Sequence, residues 1–314
     1  MDTGRKKTRV AVLSVASNTT LVVLKLIIGM IIGSVSVISE AIHSAVDLVA
    51  SVIALFAVRT AGKPEDSSHA FGHGKIENIS GAMEALLIFI AAVMIIYEAI
   101  QKLLAPHHMD QVGWGILVMS GSAAANFVVS RMLFKVGTET DSIALKADAW
   151  HLRTDVYTSL GVMAGLVLYM AGKYFFPSIR LSWMDPAAAI IVAILIIKAA
   201  YDLTKESVRD LLDARLDPGD EKIIEDSVRE QQPKVLSYHR LRTRKSGPQR
   251  FFEFHMVVPA DMNVGDSHRI GDEIVVRAKE RYRDAKIVIH VEPCDLSCDE
   301  ECAAHCVLKN PSAG

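Results

Sequence analysis

The sequence predicts an α-helical membrane protein of six transmembrane helices followed by a small C-terminal α+β domain, and three observations carry that expectation. The 314-residue chain is 51% hydrophobic and only 22% charged, with a mean hydropathy of +0.28, too apolar for an ordinary soluble protein of this length. Six apolar stretches are each near the 20 residues that a 30 Å hydrocarbon core requires at 1.5 Å per residue. Beyond residue 204 the chain turns charged and is punctuated by Pro218, Pro233, Pro248, Pro259 and Pro293, as expected of a separate globular domain.

Four segments follow from this division: an N-terminal arm (1–9), a membrane domain (10–204), a soluble domain (205–293), which the family resemblance described below makes a cytosolic metal-binding dimerisation domain, and a cysteine-rich tail (294–314). The arm is basic, with Arg5, Lys6, Lys7 and Arg9. A full-length apolar span without a small-residue cleavage site follows it, so it is expected to lead into a retained first helix. The spans are expected at 10–32, 37–58, 79–104, 112–136, 147–170 and 186–203. Glu84, Glu98, Asn126 and Arg131 interrupt or edge the third and fourth, and are expected to face the bundle or the interface. Arg59, Lys63, Lys75, Lys135 and Lys146 flank the loops on the same side as the arm, against Lys102, Lys173 and Arg180 on the other. The positive-inside rule then places both termini in the cytoplasm.

In the C-terminal domain an amphipathic helix opens at Asp217-Pro218 and runs to about Glu230, with Ile223, Ile224 and Val228 on its apolar side. Strands are expected over 236–243 and 251–258 about a Lys245-Ser246-Gly247-Pro248 turn. A helix over 264–282 and a strand over 286–291 complete an αββαβ two-layer sandwich. No repeat of solenoid length is visible. The formal charge of -2 and the lack of a basic stripe with interleaved aromatics argue against a nucleic-acid partner. All four cysteines fall within 294–306, so no disulfide framework holds the body of the chain.

The residues that carry chemistry lie inside the apolar stretches. His43-x-x-x-Asp47 and His151-x-x-x-Asp155 each place an imidazole and a carboxylate on one helix face, one turn apart. Two such helices packed face to face offer two nitrogens and two carboxylates to one point, a tetrahedral metal site. An ionisable group at the bilayer centre costs roughly 2.5–3.5 kcal/mol on insertion scales, so a doubled pattern is hard to read as local capping. Asp66, His69 and His73, in the loop after the second span, have spacing suited to a divalent cation; a solvated glycine-rich loop fits equally well. His239, His255, His268 and His290, with Glu292, fall in one small domain, where a metal site and scattered surface histidines are both open. Cys294, Cys298, Cys302 and Cys306 recur every four residues beside His305. On a helix they would form one stripe of soft ligands for zinc, cadmium or copper(I); a disordered tail with incidental thiols is the other reading.

Taken in order, His43 and Asp47 in the second span, the loop HAFGHGKIE (69–77), the span ADAWHLRTD (147–155), Asp185-Pro186, and the phrases YHRLRTRKSGPQRFFEFH (238–255) and IVIHVEP (287–293) resemble the cation diffusion facilitator family, in its bacterial zinc and iron exporter branch. The resemblance implies a Y- or V-shaped homodimer in the bacterial inner membrane, each protomer having six transmembrane helices and a metallochaperone-like cytosolic domain. It also implies proton-coupled efflux of a divalent cation, Zn2+ being both substrate and regulatory ligand. The family's transport site falls on His43, Asp47, His151 and Asp155. Many members of the branch carry Asp at the first position, and the His found here favours zinc. A loop site falls on Asp66, His69 and His73. A regulatory cytosolic site at the dimer interface falls on His239, His255, His268, His290 and Glu292, the last where the family often has Asp. Lys75 and Asp213 match charged residues that interlock the protomers. The resemblance does not reach the four tail cysteines.

The ligands themselves suggest a mechanism. Asp47 and Asp155 can neutralise a divalent ion, and His43 and His151 must be deprotonated to bind it, so protons compete with metal. A broader Fe2+, Cd2+, Co2+ or Mn2+ selectivity is the nearest alternative, and a non-transporting membrane metal sensor is another. A membrane-embedded hydrolase would need an open ligand position, which four closing ligands do not leave.

Overall fold

A computed structural model describes residues 3–33, 35–104, 112–175, 183–297 and 299–309. Arg180 and Cys298, both used above, lie outside them. The chain divides into two compact units, Met1–Val208 and Arg209–Gly314.

Among the described residues the first unit consists of six long helices: α1 (Thr3–Ile32), α2 (Val35–Ala61), α3 (Lys75–Leu104), α4 (Val112–Glu139), α5 (Ile143–Phe175) and α6 (Met184–Leu211), the last running just past the unit boundary. Four of them, α1, α2, α3 and α6, are long and apolar enough to cross a membrane among the described residues. Large apolar side chains such as Ile31, Phe56, Leu86, Met94 and Ile191 point outward, the arrangement expected where lipid is the solvent. Small residues line the contacts between helices, including Ala50, Ala54, Ala85, Ala92, Ala147, Ala193 and Ala200. They let backbones approach closely, which is how helices associate where the hydrophobic effect offers no drive. Gly161 is one such approach: a Cβ there would sit 2.8 Å from Val192 Cγ2. Glu84 and Asn126 face the bundle, whereas Glu98 and Arg131 are exposed.

The second unit contains α7 (Pro218–Glu230), β1 (Ser237–Ser246), β2 (Gln249–Val258), α8 (Val264–Arg281), β3 (Lys286–Pro293) and the short α9 (Glu300–Ala304). The expected αββαβ order is present. Pro218 opens α7 at a position where its missing N–H costs nothing, and the Asn263 side chain caps α8 by accepting from Asp266 N at 2.9 Å. Gly247, at φ 56°, takes the first central position of the two-residue turn between β1 and β2, so both strands run closer to the turn than expected. The sheet order is β1-β2-β3, antiparallel then parallel, with α8 as the crossover that a parallel pair requires.

One face of the sheet is the core. Phe252, Phe254, Met256 and Val258 alternate along β2 and pack with Ile224 and Val228 of α7 and Ile270, Ile274 and Ala278 of α8. Because strand side chains alternate, residues at the intervening positions face away from both helices, and His255 is among them.

The tail differs from expectation. Only α9, five residues, is helical among the described tail residues, so Cys294, Cys302 and Cys306 do not share one helix. The segment packs instead along the edge strand β1: Ser237 Oγ donates to the Cys302 carbonyl at 2.7 Å, Val307 N to the Leu236 carbonyl at 2.9 Å, and His305 stacks on Tyr238 at 4.3 Å. Edge strands present unpaired backbone groups, and those contacts outweigh the periodicity of the thiols.

Candidate metal centres

The first centre lies within the helical unit, where α2 and α5 bring the two His-x-x-x-Asp pairs together. His151 Nε2 is 3.1 Å from Asp47 Oδ1, and His43 Nε2 is 4.0 Å from Asp155 Oδ1. Each imidazole therefore faces the carboxylate of the opposite helix. Ligand atoms of His43, Asp47 and Asp155 lie within 4.8 Å of one another, and His151 joins through Asp47. The His151 Nδ1 atom is buried without a hydrogen-bond partner, an arrangement that usually calls for an explanation. Imidazole nitrogens and carboxylate oxygens of this kind are donor types that a divalent transition-metal ion accepts.

Around this quartet stands a polar shell whose role the sequence reading did not assign. Asn126 Nδ2 donates to Asp155 Oδ2 at 3.3 Å. Ser51 Oγ donates to Asp148 at 3.0 Å, accepts from Asn18 Nδ2 at 2.7 Å and lies 3.0 Å from Ser14 Oγ. Two turns beyond Asn18 and along the same face of α1, Lys25 Nζ donates to Ser44 Oγ at 2.8 Å and reaches Glu40 Oε2 at 3.4 Å. A signal for the α1 residues was present: Ser14, Asn18 and Lys25, four and seven residues apart, share one helix face. Such a row in an apolar span marks the side turned to the bundle.

The loop cluster forms as its spacing suggests. Asp66 Oδ1 is 3.2 Å from His69 Nδ1, and Asp66 Oδ2 is 3.3 Å from His73 Nε2; the two rings are 4.4 Å apart. The backbone N–H of His69 donates to Asp66 Oδ1 at 2.7 Å. That bond, with one from Ser68 N, holds the carboxyl below its ordinary range.

In the second unit the sheet register assembles the histidines. His239 stands opposite His255 on β1 and β2, and His255 opposite His290 on β2 and β3. All three form one row across the face that the helices leave open. Glu292 sits among them: its Oε2 is 2.9 Å from His239 Nε2, and its Oε1 is 2.8 Å from His255 Nδ1 and 3.5 Å from His290 Nε2. Burial pushes the Glu292 carboxyl up, but hydrogen bonds from His239 and His255 outweigh it and hold the group below the usual range. His268 is not brought into this row within one chain. It lies on α8, in the layer on the other side of the sheet, exposed and 3.6 Å from Asp272 of its own helix. The spacing of residues along the chain could not show that the helix and the histidine row occupy opposite faces. Asp213, at φ 54°, lies 3.5 Å from Arg244 Nη1, and Lys75 begins α3.

Of the tail cysteines, Cys302 and Cys306 are buried and Cys294 is half-buried. They do not converge on one another; Cys302 meets His239 and Asp299 instead.

With this geometry in place, comparison with known proteins identifies the chain. Residues 11–212 match the family model of the cation efflux transmembrane domain, and residues 216–294 that of the cation efflux protein cytoplasmic domain. The chain belongs to the cation diffusion facilitator family. It is 33% identical to an uncharacterised transporter of Synechocystis over 93% of this chain and 92% of that one. It is 30% identical to the cation-efflux pump FieF of Salmonella newport over 93% and 95%. The metal-bound C-terminal domain of the CzcD transporter from Thermotoga maritima matches 27% of this chain and 100% of that one at 31% identity, with a TM-score of 0.23. As a member of the family the chain is an integral membrane cation efflux transporter for divalent metal ions, with a cytosolic domain of the family's dimerisation type.

Proposed function

We propose that this transporter exports zinc from the cytosol in exchange for protons, and that His43, Asp47, His151 and Asp155 are the transport site. The observation that carries the reading is the crossed pairing of the quartet, His151 on Asp47 and His43 facing Asp155, between α2 and α5. Two carboxylates neutralise a divalent ion, and two imidazoles favour zinc over magnesium or manganese.

The same pairing supplies the proton step. A protonated His151 donates Nε2–H to Asp47, so a metal ion reaching Asp47 must displace that proton, and a proton arriving from outside restores the pair and releases the metal. Asn126, donating to Asp155, fixes the orientation of one carboxylate while the ion comes and goes. Alternation between sides requires a bistable packing of the bundle, and the small-residue contacts permit helices to slide with little penalty. Both termini and the C-terminal unit lie in the cytoplasm in this reading, with α1 to α6 as six spans of the inner membrane. The described division into Met1–Val208 and Arg209–Gly314 accords with a membrane domain followed by a regulatory one.

Flux into proteoliposomes across a set pH gradient tests this. Asp47→Ala and Asp155→Ala each remove half of the compensating charge, and zinc uptake is expected to fall to background in protein that remains folded. Near-normal flux in either variant would place the transport site elsewhere. Zinc flux that does not respond to the gradient would remove the proton from the mechanism.

A further inference from the structure

His239 is unusual among the histidines because a carboxylate faces each of its ring nitrogens. Nε2 is 2.9 Å from Glu292 Oε2, in the histidine row, and Nδ1 is 3.3 Å from Asp299 Oδ2, in the C-terminal segment. A neutral imidazole has one N–H and one lone pair, so it can satisfy only one of these anions by donation. The other is answered either by a second proton, which makes the ring an imidazolium, or by a cation bound between ring nitrogen and carboxylate. On the Nδ1 side a third donor is present: Cys302, buried like His239, places its Sγ so that ligand atoms of His239, Asp299 and Cys302 all lie within 4.8 Å.

The local architecture holds these donors in place. Asp299 caps α9 by accepting from Cys302 N at 2.7 Å through Oδ1, which leaves Oδ2 turned toward His239. Ser237 Oγ donates to the Cys302 carbonyl, and Arg240 N donates to Glu301 Oε1 at 3.0 Å, so the segment is fastened to β1 on both sides of His239. The left-handed backbone of Arg240 and the register shift between His239 and Arg242 aim the imidazole toward the segment. Asp299 and Cys302 also lie beyond residue 294, where the match to the family's cytoplasmic domain stops.

We propose that His239 Nδ1, Asp299 and Cys302 form a second cytosolic metal site, for a thiophilic divalent cation such as zinc or cadmium, and that it competes with the histidine row for His239. A carboxylate and a thiolate balance the charge of the ion, and one imidazole with one thiolate selects zinc and cadmium over manganese or magnesium. Binding releases the thiol proton to solvent. With the ion on Nδ1, the Nε2–H remains on Glu292; with an ion in the row on Nε2, the Nδ1–H donates to Asp299. His239 therefore serves one shell at a time. The competition rests on reading the row as a metal site, whereas the sulfur-containing shell does not, and neither depends on the membrane quartet.

The test is X-ray absorption at the zinc edge on the full-length protein in detergent. Neither the histidine row nor the membrane quartet contains sulfur, so a zinc–sulfur scattering component averaging below one sulfur per zinc is the expected result in the wild type, and its absence overturns the proposal. Cys302→Ser should remove the sulfur signal, and Cys294→Ser, Cys298→Ser and Cys306→Ser should each retain it. Should Cys302→Ser not fold, Asp299→Asn and His239→Ala report on the same shell, and both should diminish the sulfur signal. Persistence of sulfur in His239→Ala, or a shell of two or more sulfurs, would indicate a cysteine-only site and sink the assignment. Glu292→Gln, which weakens the row, should raise the fraction of bound zinc that carries sulfur; no change would remove the competition.

Discussion

At the scale of single residues, His43 distinguishes this quartet. It is the most exposed of the proposed ligands, at 56% of its side chain, and it lies furthest from its opposing carboxylate. An exposed donor can be exchanged with little effect on packing, so its identity acts mainly on the metal. Replacing it by Asp gives three carboxylates and one imidazole, a harder donor set. In His43→Asp the ratio of cadmium, iron or manganese flux to zinc flux, measured in one vesicle preparation, is expected to rise. An unchanged ratio would place selectivity outside the quartet. The two His-x-x-x-Asp repeats were legible in the sequence because helix periodicity alone puts each pair on one face. The crossed partnership was not, since it depends on how α2 and α5 are rotated about their own axes. Cys302 shows the opposite case: its four-residue spacing to the other cysteines suggested a stripe, whereas its neighbours are set by the docking of the tail on β1.

At the scale of elements, contacts between helix ends organise the first unit. Lys7 of α1 forms a buried ion pair with Glu77 in the first turn of α3, and Ser142, immediately before α5, donates to the same carboxylate. Removing one partner of a buried pair leaves the other charge uncompensated and typically costs 3–5 kcal/mol, while replacing both by apolar residues is often close to neutral. Glu77→Ala is therefore expected to lower the melting temperature of the detergent-solubilised protein sharply, and Lys7→Met with Glu77→Leu to recover most of the loss. Equal losses in both would mean that the charges themselves are required. In the second unit Asp220 of α7 plays a comparable part. It accepts from Arg250 Nε of β2 at 3.0 Å and from the Tyr282 hydroxyl at the end of α8 at 2.6 Å. Burial pushes its carboxyl up, yet these bonds and the neighbouring arginines outweigh burial and hold it below the ordinary value. A carboxyl lowered on folding contributes stability above its unfolded pKa of about 3.9, and that contribution disappears as pH falls through the lower folded value. Asp220→Asn should thus cost about 1.5 kcal/mol near pH 7, and progressively less in melts carried below pH 4. A cost independent of pH would point to packing alone. The element order of this unit was legible because alternation and turn residues are local signals. The face on which α8 lies was not, so the sequence could not show that His268 and the histidine row occupy opposite sides of the sheet within one chain.

At the scale of the whole molecule, the family places a cation efflux domain and a dimerisation domain in one chain, and we propose that the histidine row lets the second sense what the first moves. His255 and His290 stand side by side on parallel strands with rings 4.7 Å apart, and both turn toward Glu292. Without a cation, one carboxylate faces three imidazoles. A cation held by the row would link β1, β2 and β3 through one charge. A ligand that binds only the folded state stabilises it by RT ln(1 + [L]/Kd), about 2.7 kcal/mol at one hundred times Kd. Zinc is therefore expected to raise the melting temperature of the full-length protein in detergent, and chelation to reverse the gain. His255→Ala combined with His290→Ala should abolish most of that rise while leaving His239, Asp299 and Cys302 in place. Stripped of zinc, the double variant should melt close to the stripped wild type, because both side chains lie on the face of the sheet opposite its hydrophobic core. A full zinc-dependent rise in the double variant would show that the stabilising ion sits elsewhere. The remaining candidates would then be the membrane quartet, the Asp66, His69 and His73 loop, and the Cys302 site, the last of which the sulfur content of the zinc shell singles out.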